Sequence, residues 1–171
     1  MNNKRYIAAK WIVTALTIIW TGYIIMHSCL DSSASSASSM GVVKILENII
    51  NGVAPNTINE SNIDAFHGVV RKLIGHFGLF VIEGIFASWS VYLWSKEKIK
   101  ISHFYWQISI SLAFGLLLAT LTEIIQLFIP GRSGEFKDIL IDFSGYILGL
   151  TIIFLIGLIK YLNKKRHTEL D

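Results

Sequence analysis

The sequence predicts an all-α integral membrane protein with four transmembrane helices, because of its composition, its apolar runs and the placement of its basic residues. Of the 171 residues, 53% are hydrophobic and only 16% are charged, whereas soluble domains contain about 25% charged residues. A transmembrane helix needs about 20 mostly apolar residues. Four segments meet this requirement, at about residues 11–30, 73–94, 104–129 and 139–162.

The basic residues predict how these helices cross the membrane. Cytoplasmic segments of membrane proteins carry an excess of Lys and Arg. With the N-terminus in the cytoplasm, ten of the 15 Lys and Arg residues lie on the inner side and five on the outer side. We therefore expect an N-in, C-in arrangement, in which the turn between the third and fourth helices faces the cell exterior.

Residues 1–30 are interpreted as the first transmembrane helix and residues 31–62 as an extracellular segment. The stretch DSSASSASSM at 31–40 predicts a flexible Ser-rich linker. Apolar residues then recur at helical spacing, which predicts a short amphipathic helix at the outer membrane surface. They are Val42, Ile45, Leu46, Ile49, Ile50 and Val53. Residues 63–162 are expected to form a three-helix core, followed by a cytoplasmic basic tail at 163–171.

Ionisable residues in the second helix indicate a polar face. Such side chains are costly inside a membrane and usually face a bundle interior or a cavity. Lys72, His76 and Glu83 are spaced by four and then seven residues, so they share one side of a helix. His76 is either a hydrogen-bonded interfacial histidine or a ligand. Glu83, near the membrane centre, is either a hydrogen-bonded carboxyl group or a proton site.

The third helix and the turn after it carry Glu123, Gln126 and Arg132. Glu123 and Gln126 are three residues apart and share a helical face. Arg132 is the expected partner of a carboxylate in low dielectric, because its planar guanidinium pairs in a bidentate manner. An ion pair between Glu123 and Arg132 is either a structural brace or part of a binding site.

The fourth helix places Asp138, Asp142, Gly145 and Gly149 on one face. Small residues four positions apart let another helix approach closely, so Gly145 and Gly149 predict helix packing. We expect the polar faces of the three helices to converge in one outward-open pocket. Its candidate ligand-binding residues are Arg71, Lys72, His76, Glu123, Gln126, Arg132, Asp138 and Asp142.

Several chemistries are disfavoured by the same residues. The chain has no HExxH motif and no second inward-facing histidine in these helices, so we expect no metal ion and no cofactor. Basic residues scattered over segment ends do not form the basic face that nucleic-acid binding requires. One cysteine excludes an intrachain disulfide. If the protein is an enzyme, Glu123 or His76 is the candidate general base.

Two stretches resemble a known family: RKLIGHFGLF at 71–80 and TEIIQLFIPGRSGEFKDILIDFSGYILG at 122–149. The pattern is RK, a spacer and HF, then E-x-x-Q, R, D with a polar residue four positions later, and G-x-x-x-G. It resembles the VanZ-like family of small bacterial membrane proteins over about residues 63–159. The chain departs from the family at Phe80, where tyrosine is common, and at Asp142, where asparagine is common. The first change removes a hydroxyl donor and the second adds a charge.

The resemblance implies a multi-pass protein of the bacterial cytoplasmic membrane that lowers susceptibility to teicoplanin-type lipoglycopeptides. These antibiotics act on cell-wall precursors outside the membrane. Expected partners are membrane lipid and a lipoglycopeptide or a cell-wall lipid precursor, with no nucleic acid. The leading hypothesis is a non-enzymatic protein whose pocket binds a lipidated or lipid-linked ligand.

Two alternatives stay open. One is an intramembrane enzyme acting on an envelope lipid or an undecaprenyl-linked precursor. The other is a structural or partner protein in which Gly145 and Gly149 seat another helix. Neither composition nor spacing decides among the three.

Overall fold

The computed structural model of the chain describes residues 3–95 and 101–168, and every regular element in these ranges is a helix. The elements are α1 (Asn3–Ser28), α2 (Ser32–Val53), α3 (Ile63–Val70), a π-helical segment (Arg71–Gly78), α4 (Leu79–Ser95), α5 (Ile101–Gln126) and α6 (Phe136–Thr168). The predicted basic tail is helical as far as Thr168, because Lys and Arg continue a helix readily. The rest of that tail, residues 169–171, lies outside the described residues.

Four helices are long and apolar enough to cross a membrane. We call them span 1 (Asn3–Ser28), span 2 (Ile63–Ser95, comprising α3, the π-helical segment and α4), span 3 (Tyr105–Gln126) and span 4 (Phe136–Ile159). Within the described residues they confirm the prediction of an all-α protein with four helices suited to cross a membrane. Span 2 begins well before residue 73, because Asp64 and His67 interrupt the apolar run without interrupting the helix.

The Ser-rich stretch is helical, which corrects the prediction of a flexible linker. Asp31 caps α2, because its Oδ1 accepts a hydrogen bond from the Ala34 amide at 2.8 Å. Ser38 donates its hydroxyl to the Ser35 carbonyl at 2.7 Å, a bond within the helix that occupies the hydroxyl. The Ser35 side chain is itself buried against the rest of the protein. Capping and packing therefore outweigh the low helix propensity of serine.

The second half of α2 turns large apolar side chains away from the rest of the protein. The exposed ones include Ile45, Ile49 and Val53, all on the predicted apolar stripe. Val43, which lies off that stripe, is buried instead. A polar contact joins α2 to span 2, where Ser39 Oγ lies 2.7 Å from His67 Nε2. The placement of α2 on the outer membrane surface stays a prediction.

Spans 2 and 4 run parallel and pack at close range, because glycines let their backbones meet. A Cβ atom on Gly145 would collide with the Phe77 carbonyl oxygen, and one on Gly149 with the Val81 carbonyl oxygen. The contacts advance in the same direction along both helices, which is why the two spans are parallel. The glycine face of span 4 therefore lies against the chain's own span 2.

Tyr146 lies at the centre of the bundle and has no exposed surface. Its backbone passes against Gly84 of span 2, and its ring passes against Gly115 of span 3. The Tyr146 hydroxyl lies 2.9 Å from Ser111 Oγ, which in turn lies 2.8 Å from Ser88 Oγ. This chain of hydroxyls satisfies polar groups that would otherwise be costly in an apolar core.

A short loop, residues 127–135, turns the chain from span 3 into span 4. Gly131 has a φ of +71°, a left-handed conformation that favours glycine. The Glu135 amide donates a hydrogen bond to Glu123 Oε2 at 2.9 Å, which ties the end of the loop back to span 3. We call this end of the bundle the loop end. It positions the polar residues of three spans beside one another.

Candidate functional site

The polar side chains predicted at the ends of spans 2, 3 and 4 meet at the loop end of the bundle. The buried ones are His76, Glu123, Gln126, Asp138 and Asp142, and the half-buried ones are Arg71, Lys72 and Arg132. We call these eight residues the polar cluster. The parallel packing of spans 2 and 4 explains why the polar residues of one span lie opposite those of the other. Residues four positions apart on one helix face residues four positions apart on the other.

Lys72 forms two ion pairs at the loop end. Its Nζ lies 2.6 Å from Asp138 Oδ1 and 3.3 Å from Glu135 Oε2. The Asp138 side chain is buried, whereas those of Lys72 and Glu135 remain partly exposed. The Lys72 ammonium is therefore already balanced by carboxylates of this chain.

His76 lies one step deeper, between three carboxylates. Its Nδ1 is 3.1 Å from Asp142 Oδ1, within hydrogen-bond distance, and 3.9 Å from Glu123 Oε1. Its Nε2 is 3.8 Å from Asp138 Oδ2, beyond hydrogen-bond distance. The imidazole is thus held by a carboxylate on one nitrogen, an arrangement found in both general bases and metal ligands.

Glu123 joins span 3 to the start of span 4. Its Oε1 accepts a hydrogen bond from Gln126 Nε2 at 3.0 Å, and its Oε2 accepts one from the Glu135 amide. That amide lies at the end of the loop, just before span 4, where backbone donors lack partners inside the helix. One ligand atom from each of His76, Glu123 and Asp138 lies within 4.8 Å of the other two, so these residues are able to hold a metal ion.

Arg132 does not form the ion pair with Glu123 that the sequence suggested as one possibility. Its Nη1 donates instead to the Leu30 carbonyl at 3.4 Å. Burial lowers the pKa of the Arg132 guanidinium from its ordinary value, and the nearby charge of Arg71 lowers it further. Arg71 Nε is buried and has no hydrogen-bond partner among the described residues.

A small cavity opens between these arginines and the His76–Asp142 pair. Its lining includes Ser35 of α2, Arg71 and His76 of span 2, Arg132 of the loop and Asp142 of span 4. It holds about 20 Å³ of space for the centre of a water-sized sphere, and a water molecule needs about 10–15 Å³ of such space. The cavity therefore accommodates about one water molecule or one small charged group.

Some of the predicted residues lie away from this cavity, and some lining groups were not predicted. Lys72, Glu123 and Asp138 lie beside the cavity without lining it. Ser35, which lines the cavity, and Glu135, which pairs with Lys72 outside it, were not predicted. An acidic residue just before span 4 is a recognisable signal, because helix N-termini favour negative charge. Nothing in the Ser-rich stretch distinguishes Ser35 from its neighbours.

The comparison with known proteins identifies the family of the chain. A family model described as VanZ/LLP1 matches residues 13–157, which is most of the chain and includes every residue of the polar cluster. No curated protein and no solved structure gives a significant match. The match confirms the resemblance carried by the RK, HF, E-x-x-Q and G-x-x-x-G pattern, and the chain belongs to the VanZ/LLP1 family.

Proposed function

We propose that this membrane protein binds the anionic headgroup of a lipidated or lipid-linked molecule at the loop end. We further propose that the loop end faces the outside of a bacterial cytoplasmic membrane, and that binding lowers susceptibility to teicoplanin-type lipoglycopeptides. One observation carries the proposal. Arg71 and Arg132 both line the cavity, and neither has a carboxylate partner within 4 Å among the described residues.

Two neighbouring guanidinium groups favour an anion for a physical reason. Both guanidinium groups are half-buried. A cation partly removed from water without a charged partner is costly, and two such cations repel each other. An anion with several oxygens accepts hydrogen bonds from both planar forks and removes both costs. Ser35 Oγ, which is buried beside them without a partner among the described residues, supplies one more hydroxyl group.

The structure narrows the set of basic residues expected to bind an anion. Lys72 was a candidate together with the two arginines, but Asp138 and Glu135 already neutralise it. The size of the cavity also limits which part of a ligand is able to enter it. Space for about one water molecule admits a charged group and not a whole lipid, so the apolar part of the ligand would lie along the exposed helix surfaces.

A susceptibility assay tests the proposal. The wild-type chain and the variants Arg71→Gln and Arg132→Gln are expressed in a susceptible host, and teicoplanin tolerance is measured at matched membrane levels. Losing a hydrogen bond to a charged group costs about 1.5–3 kcal/mol, which corresponds to about tenfold to hundredfold weaker binding. We expect wild-type protein to raise tolerance and each variant to lose most of that gain.

Arg166→Gln is the matched control, because Arg166 is an exposed arginine in the last part of α6. It should keep the tolerance of the wild-type chain. If Arg71→Gln and Arg132→Gln combined leave tolerance unchanged, the cavity has no part in it.

A second function is favoured by a different observation, the buried hydrogen bond between His76 Nδ1 and Asp142 Oδ1. A carboxylate that orients an imidazole is typical of a general base. An intramembrane enzyme acting on an envelope lipid or an undecaprenyl-linked precursor would use His76 or Glu123 in this role. Turnover of labelled envelope lipids by purified protein, abolished by Glu123→Gln, would favour the enzyme. Absence of turnover by the wild-type protein would contradict the enzyme and favour the binding function.

The structural or partner function was suggested by the two glycines of span 4, and their contacts do not favour it. Gly145 and Gly149 pack against Phe77 and Val81 of the same chain, so they are not open to a helix from another protein.

A further inference from the structure

His76, Glu123 and Asp138 form a cluster with mixed nitrogen and oxygen ligands, drawn from three different elements. They lie in the π-helical segment, α5 and α6, and all three are buried. One ligand atom from each lies within 4.8 Å of the other two. Imidazole and carboxylate groups together are a typical ligand set for divalent transition-metal ions.

The orientation of His76 indicates which nitrogen is available to a ligand. An ionised carboxylate only accepts hydrogen bonds, so the contact at 3.1 Å makes His76 Nδ1 the donor to Asp142. His76 Nε2 makes no hydrogen bond among the described residues, and it faces Asp138 Oδ2 at 3.8 Å. A lone pair facing an anionic oxygen across that gap is unfavourable unless a cation or a proton lies between them.

Hydrogen bonds hold the Glu123 and Asp138 carboxylates in place and leave oxygen lone pairs free to bind a metal ion. Gln126 and the Glu135 amide each donate to one oxygen of Glu123, at 3.0 and 2.9 Å. Lys72 Nζ donates to Asp138 Oδ1 and leaves Asp138 Oδ2 on the His76 side. Each carboxylate oxygen has two lone pairs, so ligation remains open to both residues. Ligands fixed by supporting hydrogen bonds are typical of metal sites in proteins.

The charges at the cluster also favour a cation. Glu123, Asp138 and Asp142 are all buried, and the described basic groups within 4 Å of their oxygens are Lys72 and His76. With His76 neutral, the described cation within 4 Å of the three carboxylates is one ammonium group, which contacts Asp138, and the Arg132 guanidinium acts on Glu123 and Asp138 only from farther away. Buried carboxylates without compensation are costly, and a divalent ion supplies the missing charge.

We propose that His76, Glu123 and Asp138 bind one divalent transition-metal ion, Zn²⁺ or Mn²⁺, and that Asp142 orients the imidazole for it. This departs from the expectation, drawn from the missing HExxH motif, that the chain holds no metal. Bonds of 2.0–2.2 Å place two ligand atoms about 3.4 Å apart in a tetrahedral site and at most about 4.4 Å apart when they lie opposite each other. Ligand atoms that lie within 4.8 Å of one another would therefore move closer together on metal binding. The proposal does not depend on anion binding by Arg71 and Arg132.

Metal binding to purified full-length protein in detergent tests this assignment. The protein is stripped with a chelator and dialysed, and uptake of Zn²⁺ or Mn²⁺ is measured by elemental analysis and titration calorimetry. We expect one ion per chain for the wild type. His76→Gln and Asp138→Asn should each weaken binding at least tenfold. Asp142→Asn, which keeps an acceptor for Nδ1 and removes no ligand, should weaken it by about tenfold.

Glu83→Gln is the matched control, because Glu83 is a buried carboxyl group in the same span and lies outside the cluster. It should keep one ion per chain. Pulsed electron paramagnetic resonance of the Mn²⁺-loaded wild type should show coupling to one imidazole nitrogen, so the test does not depend on the folding of any variant. Wild-type protein that takes up no ion, or that binds one without this coupling, overturns the proposal. Binding that survives His76→Gln and Asp138→Asn together also overturns it.

Discussion

At the scale of single residues, Glu83 shows how one hydroxyl group makes a buried carboxyl group tolerable. Glu83 has no exposed surface within span 2. Thr21 Oγ1 donates to Glu83 Oε1 at 2.6 Å, while Glu83 Oε2 has no hydrogen-bond partner among the described residues. A buried acceptor without a donor costs about 1–3 kcal/mol. The Thr21 hydroxyl therefore stabilises the contact between spans 1 and 2, which also includes the hydrogen bond from Trp20 Nε1 to the Leu79 carbonyl.

Thr21→Val removes that donor and keeps the shape of the side chain. We expect the free energy of unfolding to fall by about 1–2 kcal/mol, at the upper end of measured hydrogen bonds between membrane helices. Reversible unfolding in mixed micelles measures the change. Thr120→Val is the matched control, because the Thr120 hydroxyl bonds only to the Leu116 carbonyl of its own helix. A loss for Thr21→Val no larger than for Thr120→Val would contradict the role assigned to this contact.

The sequence was enough to predict which polar residues gather, and not which of them pair. Helical spacing places Lys72 and His76 on one face and Asp138 and Asp142 on another. The two faces meet because spans 2 and 4 pack in parallel through Gly145. The partner of Arg132 depends on the path of the loop. Gly131 and the Glu135 amide set that path, and Arg132 reaches the Leu30 carbonyl instead of Glu123.

At the scale of helices, the packing of span 4 on span 2 gives a sharp test. Gly149→Ala places a methyl group against the backbone of Val81 and Ile85, which cannot rotate away. Overpacking of this kind costs about 1–3 kcal/mol. We expect a lower thermal unfolding temperature in detergent. Gly157→Ala, in the same helix with nothing within 4 Å of the added atom, should leave it unchanged or slightly raised. Equal behaviour of the two variants would contradict the close approach.

Apolar runs predict helices well where length and hydropathy agree, and poorly where capping or packing decides. The four spans follow from runs that satisfy the length of a bilayer. The helical state of residues 32–40 does not, because it depends on the Asp31 cap and on the burial of Ser35. The π-helical segment Arg71–Gly78 has no distinctive sequence signal either. It lies at the polar cluster, as π-helical turns often lie at functional sites.

At the scale of the whole molecule, the polar cluster and the cavity belong to the same end of the bundle as the loop between spans 3 and 4. Gly145 and Gly149 hold spans 2 and 4 in parallel register, and span 3 packs against the Tyr146 ring of span 4 through Gly115. The side of the membrane on which this end lies therefore decides which ligands reach Arg71 and Arg132. The distribution of the basic residues predicts that this end lies outside.

Cys29 offers a direct test of that orientation, because it is the single cysteine of the chain and is exposed at the end of span 1. An N-in arrangement places it outside, at the same end as the cavity. A membrane-impermeant maleimide added to intact cells, with the outer membrane opened where the host has one, should label Cys29 fully. Permeabilising the inner membrane should add no further labelling. Mass tagging of the purified chain measures the labelled fraction.

The matched control moves the cysteine to the other end of the chain. In a Cys29→Ser background, Asn163→Cys introduces a thiol at an exposed position near the end of α6, which should be cytoplasmic. It should label only after permeabilisation. The reverse pattern, with Asn163→Cys labelled from outside and Cys29 only after permeabilisation, would place Arg71 and Arg132 in the cytoplasm. Lipoglycopeptides act outside the membrane, so that result would remove the proposed resistance function while leaving the metal site open to its own test.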